Sequence, residues 1–212
     1  MTAAGSSANH LSGVERLANT FIIMRHGQSR ANVAGIIVSR IENDRRGDHG
    51  LSELGRKQAL ETARACGLPS DAVIWSSDFS RARQTAEILR AHLDAPEVGL
   101  AEALRERCFG EWEGSATENY ARVWAADETD DAHARGGAEP VTAVLDRMTA
   151  FVVDLDRQYT GRDIVLVSHG DTLQILQTAF LRISPTRHRS LPGLETAEIR
   201  RLRLQDSPTD RR

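Results

Sequence analysis

The chain has 212 residues, 40% apolar and 27% charged, with a formal net charge of -3 at pH 7. That length suits one domain with a substantial core, and that charge offers nothing global to attract nucleic acid or an anionic membrane. No apolar run approaches the roughly 18–20 residues that cross a bilayer, and the two cysteines, Cys66 and Cys108, are too few for a disulfide framework or a metal site.

Met1 to Asn19 lacks the apolar stretch of a secretory signal. It reads as a flexible extension with one helical turn around Val14–Ala18, and a reducing cytoplasm is the expected location. Phe21-Ile22-Ile23-Met24 is a short apolar run that stops at Arg25-His26-Gly27. A long stretch, Ile36 to Gly50, then carries Arg40, Arg45, Arg46 and His49. Leu54, Ala59, Leu60 and Ala63 share one face of a predicted helix that Gly67 and Pro69 stop. Val73-Ile74-Trp75 is a second apolar run, ending at Ser76-Ser77. Phe79, Ala82, Ala86, Leu89 and Leu93 then repeat at three- and four-residue steps, a helical stripe.

Asp127 to Asp131 reads as a solvated polar loop, because carboxylates without ordered spacing make a poor cation site. Val144, Leu145, Met148, Val152, Leu155 and Tyr159 form another stripe before Gly161. Ile164 to Val167 is the third apolar run, ending at Ser168-His169-Gly170. A last helix is predicted over Thr172–Leu181 and a final strand over Ile199–Leu204, followed by a short tail, residues 206–212. Apolar runs of about four residues without alternation suit strands buried on both faces. Their alternation with helices predicts a three-layer α/β/α sandwich around a mainly parallel sheet, one domain over residues 20–205.

Two of these strands end in His-Gly. Ligands of open parallel sheets sit beyond the carboxyl ends of the strands, so His26 and His169 are expected on the side where sites are built. Gly27 and Gly170 let backbone approach an anion and present an N–H to it. Arg25 adjoins His26, and Arg81 stands in the first turn of a helix, where the backbone already favours anions. Lys57 is the only lysine, so any cation on phosphate is expected to be a bidentate guanidinium. Two histidines, two arginines and two glycine-bearing turns describe a pocket for a tetrahedral dianion.

Arg25-His26-Gly27-Gln28-Ser29-Arg30-Ala31-Asn32 resembles the opening motif of the histidine phosphatase superfamily, in its phosphoglycerate-mutase-like branch. Leu51-Ser52-Glu53-Leu54-Gly55 with Gln58-Ala59, Ser76 to Glu87, Leu104 to Gly114, and Ser168-His169-Gly170 are similar to further blocks of that family in the same order. Five blocks in register are far more specific than one triplet. The resemblance implies a phosphoglycerate-mutase-like fold and His26 as a phosphorylated nucleophile. It also implies that Arg25, Arg81 and His169 hold the phosphoryl oxygens, assisted by Asn32 and the Gly170 backbone, with Glu106 as proton donor and then base. Glu102, Glu111 and Glu113 compete with Glu106 by proximity in the sequence. Gly50 stands where the family usually has proline, and Arg187-His188-Arg189 is a second basic group that could face substrate.

Three functions follow: a phosphatase acting on small phosphorylated metabolites, a mutase returning the phosphoryl group to a related acceptor, and a non-catalytic phosphate-binding protein. The third is disfavoured, because each matched position holds a chemically competent residue. The first is favoured over the second, because the acidic segment after Gly114, Asp127 to Asp131, is expected to repel a polyanionic substrate, and Gln205 to Arg212 after the last strand are too short for a sizeable lid. No cofactor and no metal are expected. The partner is a small phosphorylated substrate rather than nucleic acid or membrane, and a homodimer stays open.

Overall fold

The computed structural model describes residues 9–44 and 47–206. The three apolar runs become central strands of one sheet, β1 (Thr20–Arg25), β2 (Val73–Ser76) and β4 (Asp163–Ser168). Short β3 (Gly99–Leu100) and β5 (Ile199–Arg201) form the edges, in the order β3-β2-β4-β1-β5. Every pairing is parallel except that of β1 with β5.

Successive strand residues face opposite sides, and both sides are covered. Phe21, Ile23, Ile164 and Leu166 pack with α5 (Val141–Gln158) and α6 (Gly170–Phe180). Ile22, Met24, Ile74, Val165 and Val167 pack with α2 (Glu53–Ala65) and α3 (Ser80–Leu93). This is the expected α/β/α sandwich. Two shorter helices, α1 (Arg30–Ala34) and α4 (Tyr120–Asp127), lie in the connections.

Local chemistry sets the helix starts. The Ser52 hydroxyl caps α2 by accepting the Gly55 N–H at 3.0 Å. The start of α3 is capped from a distant loop, where Asp44 accepts the Ser80 N–H and hydroxyl. The buried face of α2 is Gly55, Ala59 and Ala63, whereas Leu54 is 49% exposed, against its expected inward orientation.

The amino-terminal segment differs from expectation. Leu11 is fully buried in the core of α5 and α6, with Val14 and Leu17 beside it. The Arg182 guanidinium donates to the carbonyls of Leu11, Ser12 and Val14, and Asp156 accepts the N–H groups of Ala18 and Asn19. Residues 9–19 are therefore packed chain, with turns at 10–13 rather than a helical turn at Val14–Ala18. Residues 1–8, Arg45, Arg46 and residues 207–212 lie outside the described residues. At the other end, β5 stops at Arg201 rather than at Leu204.

Candidate active site

Strands β1 and β4 are neighbours, and their register pairs Arg25 with Ser168. The next residue on each, His26 and His169, leaves the sheet at the same level on its carboxyl edge. Their rings meet edge to face with centroids 5.2 Å apart. His26 Nδ1 lies 2.7 Å from the Gly27 carbonyl oxygen, which can only accept, so Nδ1 carries the proton and Nε2 presents its lone pair. Arg81 Nε donates to that Nε2 at 3.2 Å. Burial, then the charges of Arg81 and Arg25, hold the His26 pKa well below the usual histidine value, so the imidazole is neutral at pH 7.

His169 is ordered by Ser77. The Ser77 hydroxyl lies 2.9 Å from His169 Nε2 and its oxygen also accepts the Phe79 N–H at 3.3 Å, an arrangement in which the hydroxyl hydrogen is free to go to Nε2 with the His169 proton on Nδ1. Burial first and then Arg81 keep this ring neutral as well. Arg25 Nη1 donates to the Leu194 carbonyl at 2.7 Å, and Arg81 Nη2 to the Val38 carbonyl at 2.9 Å. Arg25 Nε, Arg81 Nη1 and His169 Nδ1 are buried with no hydrogen-bond partner among the described residues. An unpaired buried donor costs about 1–3 kcal/mol. Three such nitrogens around one imidazole describe a site shaped for an anion. Arg25 and Arg81 line a cavity of about 270 Å³ together with His26, Glu106 and Gly170, while His169 lies behind that wall, packed against His26.

Glu106 sits on a loop tied down at several points. Ser168 Oγ donates to the Leu104 carbonyl at 2.7 Å, Thr172 Oγ1 to the Arg105 carbonyl at 3.0 Å, and Arg147 Nη1 to the carbonyls of Ala103 and Arg105. Burial, and then the nearby Asp171 carboxylate, raise the Glu106 pKa. Its Oε1 accepts the Arg107 N–H at 3.0 Å. Glu102 instead pairs with Arg105, and Glu113 accepts from Ser39 and Asn43. Of the four neighbouring glutamates only Glu106 lines the cavity.

Residues 21–210 match the family model described as histidine phosphatase superfamily (branch 1). The chain belongs to the histidine phosphatase superfamily. It is 29% identical over 200 residues to a metal-independent phosphoserine phosphatase of Arabidopsis thaliana, covering 91% of this chain and 79% of that one. It is 30% identical over 192 residues to a glucosyl-3-phosphoglycerate phosphatase of Mycobacterium tuberculosis, covering 85% and 83%. A solved structure of a mycobacterial glucosyl-3-phosphoglycerate phosphatase with VO3 superposes with a TM-score of 0.75 at 28% identity, covering 88% of this chain and 96% of that one. The activity that goes with this family and these relatives is phosphomonoester hydrolysis through phosphohistidine.

Within this histidine phosphatase some expected contacts change place. Gly27 does not line the cavity, and its N–H donates to Thr85 Oγ1 at 3.1 Å instead of facing an anion. Its lack of a side chain serves packing: a Cβ there would lie 2.4 Å from the Gly55 carbonyl oxygen. Asn32 lines the cavity but also caps α1, its Oδ1 accepting the Ser29 N–H at 2.9 Å. Gly170 lines the cavity and opens α6, and a Cβ there would sit 3.4 Å from Arg25 Nε. From the 36–50 loop, Ile36 and Val38 reach the wall, while Arg40 and His49 do not. Cys108 is half-buried in a separate groove.

The segment after Gly114 holds what sequence reasoning missed. It folds over the cavity as α4, where Tyr120 and Trp124 line the wall with rings stacked 5.3 Å apart. Burial and the neighbouring Glu106 raise the Tyr120 pKa, so its hydroxyl stays protonated. Asp127 is not part of a solvated loop. It is fully buried at the end of α4, bound by both Nη atoms of Arg107 at 2.7 Å, with His133 Nε2 at 2.6 Å. Asp171 accepts the Trp124 indole N–H at 2.9 Å and lies 3.3 Å from both Arg107 Nη1 and His188 Nε2. Burial opposes ionisation of Asp171, yet His188 and Arg107 outweigh it and bring the pKa down to about 2. Asp127, from the acidic segment expected to repel a polyanion, is thus ion-paired rather than solvated, while Glu128 and Asp130 stay exposed, and Asp127 and Asp171 hold α4 over the site.

Proposed function

We propose that the protein hydrolyses phosphomonoesters of small molecules in two steps, with His26 Nε2 as nucleophile. The observation that carries this reading is a neutral His26 whose Nε2 keeps its lone pair, accepting from Arg81 Nε, beside three buried side-chain nitrogens without hydrogen-bond partners among the described residues. In the first step Nε2 bonds to phosphorus and the ester P–O bond breaks, while the Glu106 carboxyl proton passes to the leaving oxygen. In the second step the Glu106 carboxylate takes a proton from water, the water oxygen bonds to phosphorus, and the P–Nε2 bond breaks to release phosphate. Arg25 Nε, Arg81 Nη1, His169 Nδ1 and the Gly170 N–H donate to the phosphoryl oxygens throughout. Phosphoryl transfer asks little of a protein beyond such positioning and charge stabilisation.

The raised pKa of Glu106 supports the acid role, since a carboxyl must hold its proton near neutral pH to give it away. Relatives named for phosphoserine and glucosyl-3-phosphoglycerate support small phosphorylated metabolites as substrates, and their phosphatase activity supports water as the final acceptor.

Rapid quenching with labelled substrate is expected to trap an acid-labile, base-stable phosphoryl adduct on His26, and His26→Ala to abolish turnover in a folded protein. Chasing the labelled phosphoenzyme separates hydrolysis from mutase chemistry. Inorganic phosphate is expected at equal rates with and without 3-phosphoglycerate, whereas discharge mainly to 3-phosphoglycerate would identify a mutase. Wild-type turnover by the alanine variant would overturn the assignment of His26.

A further inference from the structure

The proposed chemistry uses two of the three guanidinium groups in the cavity wall. The third belongs to Arg189, on the short helix Pro185–Ser190 that follows α6. Its Cζ lies 3.7 Å from the centroid of the Trp124 ring, and its Nη1 donates to Gln174 Oε1. Gln174 is itself buried and fixed by its Nε2, which donates to the Leu191 carbonyl at 2.6 Å. One ring and one amide therefore hold the guanidinium plane in place. The edge formed by Nε and Nη2 makes no hydrogen bond or ion pair among the described residues. Asp171, in the same wall, feels the Arg189 charge but takes its close contacts from Arg107 and His188.

We propose that Arg189 binds a carboxylate on the leaving group, making the protein selective for small phosphomonoesters that carry a carboxylic acid. This rests on the phosphatase reading above and names its substrate class. The free Nε–Nη2 edge is the side of a guanidinium that presents two parallel N–H groups, and a carboxylate offers two oxygens at the matching spacing. A second phosphoryl dianion fits less well, because one exposed guanidinium supplies the donors and the Glu195 carboxylate shares the wall. The cavity, about 270 Å³, is smaller than most pockets for drug-sized ligands, which run from roughly 300 to 1,000 Å³. It suits a phosphoryl group on a short carbon chain. A plainer role for Arg189 is to latch α4 through Trp124, and it makes a different prediction.

The test compares kcat/KM within two matched pairs, phosphoserine against phosphoethanolamine and 3-phosphoglycerate against glycerol 3-phosphate. Phosphoethanolamine lacks the carboxylate of phosphoserine, and glycerol 3-phosphate carries a neutral hydroxymethyl group in place of the carboxylate of 3-phosphoglycerate. The native protein is expected to favour the carboxylated member of each pair by about ten- to hundredfold, the scale of a charge-assisted bidentate contact. In Arg189→Met, which keeps a long stem against Trp124, both ratios are expected to fall toward one. Arg189→Lys, with charge but no fork, is expected to lie between. Ratios near one in the native protein would overturn the proposal, as would equal losses for both members in Arg189→Met, the signature of a latch. Turnover of p-nitrophenyl phosphate with ratios near one would refute only the carboxylate contact. Failure to hydrolyse any of the five esters would refute the phosphatase reading. Calorimetric binding of the same pairs to His26→Ala would then still measure the preference, and equal affinities within each pair would overturn it.

Discussion

Arg107→Met should show what holds α4 over the active site. The Arg107 side chain is 0% exposed, and its guanidinium meets Asp127 through two 2.7 Å bonds and Asp171 at 3.3 Å, while Nε donates to the Glu139 carbonyl at 2.6 Å. Methionine nearly preserves the volume but leaves two buried carboxylates without their main counter-charge. Breaking one side of a buried pair costs about 3–5 kcal/mol. His133 on Asp127 and His188 on Asp171 remain as partial partners, which places the loss near the lower end, about 3 kcal/mol. For a chain of this length that is a fall in Tm of roughly 6–12 °C. Arg105→Met, which breaks half-exposed pairs with Asp78 and Glu102, should cost less than about 1 kcal/mol.

Adding Asp127→Leu to Arg107→Met should restore much of the loss, because the cost lies in the uncompensated charge rather than in the missing attraction. The acid limb supplies a second readout. The folded pKa of Asp171, about 2, lies below its unfolded value near 3.8, so its contribution is complete above the unfolded pKa and disappears as pH falls toward 2. In Arg107→Met the folded value rises and that limb shrinks. Urea titration between pH 2 and 7 measures both effects. A loss below about 1 kcal/mol with an unchanged m-value would mean that the network does not carry the stability assigned to it.

Glu106→Gln should slow alkyl phosphates by about 10²–10⁴-fold and aryl phosphates far less, since a phenolate leaves without protonation. The native kcat should fall as pH rises through the elevated Glu106 pKa, and the glutamine variant should lose that limb; equal losses for both ester classes would reduce Glu106 to a structural role. Activity should survive EDTA, because guanidinium groups carry the charge neutralisation, and vanadate should inhibit as a mimic of the transferring phosphoryl group; recovery only on adding a divalent ion would contradict this. Gly27→Ala brings a Cβ within 2.4 Å of the Gly55 carbonyl oxygen, and both positions are backbone, so neither can yield cheaply. A loss of roughly 1–3 kcal/mol is expected, with reduced turnover from a displaced His26, and native stability in thermal unfolding would contradict the close approach.

The architecture was legible because its signals are local. Phe21 to Met24, Val73 to Trp75 and Ile164 to Val167 lack alternation since both faces of their strands are covered. The stripes of α3 and α5 emerge at helical spacing for the same kind of reason. His26, His169, Arg25, Arg81 and Glu106 stand out by motif, and each borders the cavity or packs on its nucleophile, whereas Tyr120, Trp124 and Arg189 of the same wall lie outside those blocks. Their exact partners were not legible. Whether the Gly27 N–H faces an anion depends on Thr85, 58 residues further along the chain.

The same separation explains the other misreadings. Asp127 in isolation resembles any solvated carboxylate, and its neutralising Arg107 lies 20 residues upstream. Leu11 looks like part of a polar extension until α5 and α6 are folded beneath it. Trp124, Gln174 and Arg189 belong to three separate segments and carry no shared motif. Periodicity, strand ends and motif order are properties of neighbouring residues, so the chain itself determines them. The burial of a charge, the direction of an N–H and the free edge of a guanidinium depend on groups that only folding brings within 3 to 4 Å, and those the tertiary structure decided.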